Sequence, residues 1–460
     1  MDDVTNAAPQ DRPAEVSRTG TAKQAGAVRA RWAWTAAAVW TERMLTALER
    51  GVKGGVWFAL IDKVWSRSNL PAAFAKVRAK RGAAGGDHQT IGMFAQNLDA
   101  NLEALSAALR AGTYRPQALR RVYIPKPGSR ERRPLGIPTV RDRVVQTALR
   151  AVLEPIFERD FAPHSYGFRP QRGCKDALRR VDALLRAGYG YVVDVDLRRY
   201  FDSIPHQKLM ARVRTRIADG RVLALIESFL KQGVLEGLEE WTPPAGSPQG
   251  AVVSPLLSNI YLDPLDHLMA QTGVEMVRYA DDLVLLCRSR AEAEAALAQV
   301  QNWTAAAGLT LHPEKTRIVD LAAPGGFDFL GYHFERDRRR PERVRRWARE
   351  KSVQRLRATL RAWTPRLSGK SLSAIIVSVN RVLRGWFAYF KHTDTRWLFR
   401  SLDGWLRRRL RRMLLKRQKK HRRSGLGGLA HRRWPNAFFA AQGLFSLETA
   451  HAQACQSATR

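Results

Sequence analysis

The sequence predicts an α+β protein with an antiparallel sheet, followed by a basic, mainly helical region. Between residues 120 and 310, short apolar runs of strand character alternate with segments of helical periodicity. Two of these runs flank a tight acidic turn, which is typical of an antiparallel hairpin. After Phe334 the composition changes abruptly to arginine-rich sequence in which apolar residues keep helical spacing.

The elements follow from local pattern. Residues 57–109 have helical periodicity interrupted by a glycine-rich segment at 81–86, and residues 120–138 have the alternation and turn residues of a β-hairpin. Further elements expected in order are a helix at 140–154, strands at 191–195, 276–279 and 283–287, and helices near 206–218, 221–231, 255–269 and 291–307. The first 50 residues predict a loose arm followed by a helix.

The charge indicates a polyanionic partner. The 460 residues hold 78 Lys+Arg against 42 Asp+Glu, a net charge of +36. Residues 336–423 alone hold 30 Lys+Arg against 5 Asp+Glu. Most of the basic residues are arginines, which bind phosphate bidentately, so RNA or DNA is the favoured partner. Apolar positions between 375 and 390 predict that this basic region has a core of its own.

Other classes are excluded by composition. The sequence has no apolar run of the length that a membrane span requires. Its three cysteines, Cys174, Cys287 and Cys455, are too far apart for a CxxC zinc site or a disulfide framework. Acidic residues near the N-terminus argue against a transit peptide. We therefore expect a reduced, cytoplasmic protein.

Four carboxylates carry the chemistry. On a strand, period two places Asp194 and Asp196 on one face, and Asp281 with Asp282 occupies the turn between two apolar strands. An Asp-Asp pair alone is common in turns. Carboxylates retained in apolar strands need a cation, and hard oxygen ligands favour Mg²⁺. Two such ions would support nucleotidyl transfer to a 3′-hydroxyl.

Seven motifs occur in a fixed order along this part of the chain. They are RPLGIPT at 133–139, HSYGFRP at 164–170, DLRRYFD at 196–202, GSPQGAVVSPLL at 246–257, YADD at 279–282, LTLHPEKT at 309–316 and FDFLGY at 327–332. This set resembles the reverse transcriptases encoded by group II introns, over roughly residues 57–334. The resemblance implies a right-hand polymerase fold, with fingers and a palm that contains the antiparallel sheet.

The resemblance also implies roles for individual residues. Catalytic and metal-binding roles fall on Asp196, Asp281 and Asp282, with the Leu197 carbonyl as a further metal ligand and Lys315 as general acid toward pyrophosphate. Nucleotide-binding roles fall on Lys126, Arg133, Phe201 as a steric gate against ribose, Gln249 and Gly250. Alternatives stay open: Phe201 as a core aromatic, and Lys126, Arg133 and Lys315 as solvated surface charges. Asp194 and Asp202 are left without a firm role.

The C-terminal region resembles a maturase domain. LRGWFAYF at 383–390 is similar to the signature of the thumb, or X, domain of these proteins. RNA-binding roles are expected for Arg384, Arg407, Arg408, Arg411 and Arg412. Gly385 is expected to allow a close backbone approach to a helix or to RNA, and core packing is the alternative for the neighbouring aromatics.

The expected domains are an N-terminal extension at 1–56, fingers and palm at 57–334, a thumb/maturase domain at 335–420 and a short DNA-binding-like tail at 421–460. The tail has no cysteine pairs of an HNH endonuclease. This implies the endonuclease-less bacterial type. The segment 81–87 matches the family's KGAAGVDG loop only loosely.

The implied function is RNA-directed DNA synthesis with two Mg²⁺ ions, together with binding and splicing of the intron RNA and its copying into DNA. The implied partners are group II intron RNA, template RNA, primer or target DNA, and dNTPs, and no membrane association is expected. The implied location is the bacterial cytoplasm, with association with the nucleoid as an option. The oligomeric state is left open. The alternatives are a domesticated reverse transcriptase of a CRISPR, defence or repair system, and a splicing factor without polymerase activity.

Overall fold

The computed structural model describes residues 27–125, 131–237, 239–417 and 428–458. Its helices are α1 Glu42–Arg50, α2 Ile61–Val64, α3 Asn69–Lys80, α4 Ile91–Gln96, α5 Leu98–Ala111, α6 Val140–Glu158, α7 Cys174–Arg186, α8 Tyr200–Ser203, α9 His206–Arg214, α10 Gly220–Leu230, α11 Ser254–Gln271, α12 Arg290–Ala307, α13 Glu350–Trp363, α14 Leu372–Phe390, α15 Arg396–Arg417, α16 Gly428–Arg433, α17 Asn436–Ala441 and α18 Leu447–Ala458. Its strands are β1 Leu119–Pro125, β2 Arg132–Ile137, β3 Tyr191–Asp196, β4 Val234–Glu236, β5 Glu239–Trp241, β6 Glu275–Tyr279, β7 Asp282–Cys287, β8 Arg317–Asp320, β9 Phe327–Phe329, β10 Tyr332–Arg336 and β11 Val344–Ala348. The predicted α+β class is confirmed.

Contacts divide the chain into two compact units. The first contains residues up to 121 with 136–161 and 206–261, and the second contains 122–135, 162–205 and everything from 262 onward. The chain therefore passes between units five times: within β1, β2 and α11, after residue 161 and after residue 205. Among the helices described, none combines the length and the apolar character that crossing a lipid bilayer requires.

In the first unit, α6 is the central helix. Its N-cap Thr139 accepts a hydrogen bond from the Asp142 amide, and its apolar residues are buried along most of its length. The α3 side chain Asn69 donates to the Ala148 carbonyl at 3.1 Å, and the Trp40 indole donates to the Ala151 carbonyl at 2.9 Å. The expected N-terminal extension thus contributes buried residues to this core, among them Trp32, Val39 and Trp40, and its residues 1–26 lie outside the described residues.

The glycine-rich segment at 81–87 packs against the start of α6. A Cβ at Gly85 would lie 2.6 Å from the Thr139 Cα, and the Arg143 guanidinium donates to the Ala83 carbonyl at 2.6 Å. Glycine is needed because two backbones meet here. The loop therefore packs at a defined position against α6 although its sequence matches the family pattern only loosely.

A small sheet in the order β2-β1-β4-β5 contains the predicted hairpin. Within the first unit, Leu119 of β1 lies opposite Val234 of the parallel strand β4, and β5 is antiparallel to β4. Both hairpin strands are present as predicted. The turn at 126–130, with Lys126, lies outside the described residues.

The second unit contains an antiparallel sheet in the order β6-β7-β3-β8. The three strands predicted from sequence are all present, with β7 and β3 central and β6 at one edge, and α7 and α12 pack on the sheet. A second, three-stranded sheet follows in the order β11-β10-β9. Strand β11 lies in the region expected to be mainly helical. There, Val344, Arg346 and Ala348 alternate with outward-facing residues, which fits the pleat of a strand.

The C-terminal helices share their core with the sheets. Ile375, Val379 and Leu383 of α14 belong to one buried cluster that also holds Val192 of β3 and Phe329 of β9. The expectation of a separate core for the basic region is therefore wrong. The helical face predicted from apolar spacing is present, but its partner is the β-structure that precedes it.

Candidate active site

Strands β3 and β7 bring two predicted carboxylates together. In the antiparallel register, Asp196 lies directly opposite Asp282, and Asp194 lies opposite Val284. Residues directly opposite in such a pair have Cβ atoms about 5 Å apart. A single register therefore places acidic groups from two distant motifs side by side at one end of the sheet.

The third carboxylate, Asp281, lies in the turn between β6 and β7. Tyr279 pairs with Asp282 across this turn, and Ala280 has a left-handed φ of 61°. Gly167 of the HSYGFRP motif lies directly against it, because a Cβ at this position would overlap the Ala280 nitrogen and lie 2.8 Å from the Tyr279 carbonyl carbon. The motif thus has a structural role next to the turn that carries Asp281, which sequence reasoning did not assign to it.

A buried arginine supports the same turn. Arg278 is fully buried; its Nε donates to Asp266 Oδ1 at 2.7 Å, and its Nη1 donates to the Ala280 carbonyl at 3.0 Å. A second bond joins its Nη2 to Asp266 Oδ2, so the pair is bidentate. Its backbone also exchanges hydrogen bonds with His164 and Tyr166, at 3.0 and 2.8 Å. An arginine in an apolar strand directly before YADD was the available signal for this role.

Burial and mutual repulsion disfavour the charged forms of Asp194, Asp281 and Asp282. Burial raises the pKa of Asp194 to about 6, and it also raises the pKa of Asp281. Asp282 lines a cavity of about 520 Å³, and the protein around this cavity still desolvates its carboxylate. Desolvation, followed by repulsion from Asp194 and Asp281, raises its pKa to about 7. The charge of Arg133 opposes the shift at Asp281. A bound cation would offset the repulsion among these carboxylates that contributes to the raised pKa of Asp282.

Lys315 and Phe201 lie near this end of the sheet in different ways. Lys315 Nζ forms an ion pair with Asp196 Oδ2 at 2.9 Å. Phe201 is half-buried in α8, with its ring 5.4 Å from the Tyr200 ring. Leu197 directly follows β3 and forms an isolated bridge with Leu311. Asp202 lies in the first turn of α8.

The residues fit Mg²⁺, although they do not form a closed cage. Within the described ranges, no three His, Cys, Asp or Glu side chains are arranged as a complete metal site. Mg²⁺ usually binds to one or two carboxylates and takes its remaining ligands from water and substrate phosphates. Asp196 and Asp282 face each other, and the pKa values of Asp281 and Asp282 are raised. The facing carboxylates match that donor set.

Gln249 and Gly250 belong to the first unit. The Gly136 amide donates to the Gln249 carbonyl at 2.8 Å, and a Cβ at Gly250 would lie 2.6 Å from the Gly136 oxygen. Gly250 also has a positive φ of 107°. His206 contacts the Gly246 carbonyl at 2.7 Å, so it supports the same loop. The glycine is therefore required by the fold of this loop itself.

The maturase signature contributes to the wall of a cavity beside Asp282. Trp386, Tyr389 and Phe390 of α14 line the same cavity of about 520 Å³. The Tyr389 hydroxyl donates to the Leu330 carbonyl at 2.7 Å. These aromatics are thus both packing residues and cavity walls. Within the described structure no atom lies within 4 Å of a Cβ built at Gly385, so of the two approaches expected there the one to a helix is wrong, and the one to RNA stays a prediction.

The arginines predicted to bind RNA divide into two groups. Arg384, Arg408 and Arg412 are exposed and Arg407 is half-buried. Arg411 is buried, and its guanidinium donates to the Trp434 carbonyl and to Asn436 Oδ1, both at 2.8 Å. The expectation for Arg411 is corrected: its donors already bond to protein groups that attach α15 to α16 and α17. An arginine-rich run such as 407–412 does not by itself show which side of helix α15 faces inward.

Comparisons with known proteins agree with these features. Residues 124–334 match the reverse transcriptase (RNA-dependent DNA polymerase) family, and residues 353–434 match the group II intron maturase-specific domain. Protein YkfC of Escherichia coli is 34% identical over 323 residues, which cover 61% of this chain and 84% of YkfC.

A second relative is the group II intron-encoded protein LtrA of Lactococcus lactis. It is 39% identical over 183 residues, which cover 40% of this chain and 30% of LtrA. Among solved structures, a chain of a partial Cas6-RT-Cas1–Cas2 complex is 24% identical with a TM-score of 0.36, covering 54% of this chain and 42% of that chain. This likeness is too weak to support an inference. The two family matches and the extent of the match to YkfC show that the chain belongs to the group II intron reverse transcriptase/maturase family and is an RNA-directed DNA polymerase.

Proposed function

We propose that the chain extends a DNA primer on an RNA template by Mg²⁺-dependent nucleotidyl transfer at Asp196, Asp281 and Asp282. The observation that carries this proposal is the register that sets Asp196 opposite Asp282, with Asp281 in the adjoining turn. Carboxylates whose pKa values are raised by burial and mutual repulsion are suited to hold divalent cations.

Asp196, Asp281 and Asp282 would hold two Mg²⁺ ions, and the Leu197 carbonyl would add a ligand. When bound, the ions lower the pKa of the primer 3′-hydroxyl and stabilise charge on the leaving pyrophosphate. Lys315 Nζ, released from its ion pair with Asp196, would donate a proton to the pyrophosphate oxygen.

The remaining nucleotide contacts follow from the same proposal. Arg133, with Lys126 beyond the described residues, would bind the triphosphate through charge-assisted hydrogen bonds. The Phe201 ring would exclude the ribose 2′-hydroxyl and so select dNTPs. Gln249 and Gly250 would contact the incoming nucleotide, for which their loop has a fixed backbone.

The basic helices supply the proposed RNA contacts. Arg384, Arg407, Arg408 and Arg412 remain candidates, because their guanidinium groups lie on exposed or half-buried positions. We propose that they bind group II intron RNA, that binding assists splicing, and that the intron is then copied at a DNA target in the bacterial cytoplasm. A domesticated role in a defence or repair system would use the same polymerase site without a flanking intron.

Primer extension on an RNA template with Mg²⁺ and dNTPs tests the polymerase proposal. The wild-type chain should synthesise DNA. Asp281→Ala should abolish synthesis and leave RNA affinity nearly unchanged, whereas the exposed control Asp99→Ala should retain both. No incorporation by the wild type would refute the polymerase assignment, and loss of RNA affinity in Asp281→Ala would refute the separation of the two sites.

A splicing assay of the flanking RNA tests the intron assignment. Protein-dependent splicing would support the maturase role. A flanking transcript that contains no self-splicing RNA, together with active primer extension, would favour the domesticated alternative.

A further inference from the structure

The hairpin formed by β10 and β11 has an exceptional charge density. Seven of the eleven residues at 336–346 are arginines. None of them was among the residues expected to bind RNA. The two strands pair in full register, with His333 opposite Trp347 and Glu335 opposite Arg345. These four side chains share the face of the hairpin that points away from the buried cluster, since Tyr332, Phe334 and Ala348 are buried on the other face.

Two carboxylates near the hairpin, Asp337 and Asp394, form hydrogen bonds that stabilise its conformation. Asp337 accepts hydrogen bonds from the Arg339 amide at 3.0 Å, and its own amide donates to the Arg343 carbonyl at 2.8 Å. Asp394, between α14 and α15, accepts from the Arg343 guanidinium at 3.1 Å and from the Arg346 amide at 2.9 Å. The hairpin is thereby attached to the turn between two helices of the C-terminal region.

A cavity of about 650 Å³ lies at this hairpin. Its basic and aromatic walls come from Arg338, Arg339, Arg340, Arg343, Arg345 and Trp347. This volume is within the range of small-ligand sites, roughly 300–1,000 Å³. Arg338, Arg339 and Arg340 are exposed, so their charges are available to a ligand. The arginines outnumber the three acidic residues at the cavity, two of which are the scaffold groups described above.

Trp347 gives the cavity an aromatic surface. One contact of its ring is with His333, whose ring centroid lies 4.9 Å away. Its side chain is half-buried, so part of the indole faces the cavity. An aromatic ring among guanidinium groups is the combination that binds single-stranded nucleic acid, since the ring stacks on a base while the cations contact phosphates.

We propose that this cavity, the hairpin pocket, binds one nucleotide of a single-stranded RNA segment, with its base against Trp347 and the neighbouring phosphates at Arg338, Arg339 and Arg340. The proposal rests on the RNA-binding function proposed above. RNA is favoured over DNA because the C-terminal basic helices are proposed to bind RNA, and Asp394 attaches the hairpin to the turn between two of these helices.

The test measures binding of the full chain to a fluorescent, unstructured oligo-uridine of about 12 nucleotides by anisotropy across a salt series. The first variant is the triple change Arg338→Ala, Arg339→Ala and Arg340→Ala. Its control removes the same charge from three other exposed arginines, Arg179, Arg186 and Arg290. Trp347→Leu removes the stacking surface, and Trp347→Phe retains an aromatic ring. Circular dichroism melts confirm that each variant is folded.

The triple variant should bind at least about tenfold more weakly than the control, with the slope of log K against log salt smaller by about 2, because three phosphate contacts are lost. Trp347→Leu should lose about tenfold, and Trp347→Phe should keep most of the affinity. Equal binding by the triple variant and its control would overturn the proposal, as would equal loss in both Trp347 variants. Equal losses on oligo-thymidine would overturn the assignment to RNA.

Primer extension with the same variants separates this pocket from the polymerase proposal. Wild type that binds oligo-uridine through the pocket but incorporates no dNTP would refute only the polymerase proposal. Active wild type whose RNA affinity is unaffected in the triple variant would refute only the pocket.

Discussion

Lys315 Nζ lies 2.9 Å from Asp196 Oδ2, which joins the LTLHPEKT motif at 309–316 to the first carboxylate of the candidate active site, 119 residues earlier in the chain. Both side chains retain solvent access, at 61% and 43% exposure. A cation that binds this carboxylate competes with the lysine ammonium for its oxygens and repels it. The pair therefore places the proposed general acid next to the proposed metal site before substrate arrives.

Lys315→Met should slow nucleotide addition by about 10²-fold, the lower range for loss of a general acid. Primer–template affinity should change little, because the lysine is proposed to act on the pyrophosphate. Single-turnover primer extension measures the rate, and the exposed Lys351→Met serves as a control. A wild-type rate in Lys315→Met would exclude the proton-donor role.

Variants of the buried pair Arg278–Asp266 should show separate effects on the free energy of unfolding and on the rate of DNA synthesis. Arg278→Met leaves a buried carboxylate without its partner and should destabilise the fold by about 3–5 kcal/mol. The double change Arg278→Met with Asp266→Leu removes both charges and should recover much of that loss. It still lacks the donor to the Ala280 carbonyl, so the rate of DNA synthesis should remain reduced.

Urea unfolding and single-turnover kinetics measure these two effects on the same proteins. Full recovery of the rate in the double variant would show that Arg278 stabilises the fold without positioning the catalytic turn. Failure to recover stability would instead show that the ion pair is net favourable in this setting.

Gly167→Ala should disrupt the catalytic turn. The added methyl group would overlap the Ala280 nitrogen, so the backbone that carries Asp281 must move. A displacement of about 1 Å can cost 10²-fold in rate, and we expect a loss of that size in primer extension. Gly220→Ala is the control, since no described atom lies within 4 Å of its added Cβ. Equal rates for both variants would contradict the observed contact.

The cysteines report on the fold itself. Cys287 of β7 is buried, and burial raises its pKa to about 11, whereas Cys455 is exposed. At pH 8 only about one Cys287 thiol in a thousand would be ionised, and the thiolate is the reactive form. Iodoacetamide should therefore label Cys455 and spare Cys287 in the native protein, and label both in urea.

Mass spectrometry of the labelled peptides distinguishes the two sites. Rapid native labelling of Cys287 would mean that β7, which also carries Asp282, is not the protected central strand described above.

Much of the palm was predictable from local pattern. Strands β3, β6 and β7 are short, apolar and bounded by turn residues, so propensity and period agree at each of them. The carboxylates could be singled out as candidates because Asp194 and Asp196 interrupt an apolar strand and Asp281 with Asp282 occupies the turn between two others. Strand β11 could not be assigned, since an arginine-rich segment has no strong preference until pairing with β10 selects one.

The sequence by itself determined the family, the acidic motifs and the concentration of positive charge after Phe334, because each of these is written in residue type and order. Tertiary structure decided which of those groups meet. It set Asp196 opposite Asp282, buried Arg278 beside the turn that carries Asp281, turned Arg411 inward and left Arg338, Arg339 and Arg340 exposed. These outcomes depend on strand register and helix orientation, which long-range packing selects and which no single segment encodes.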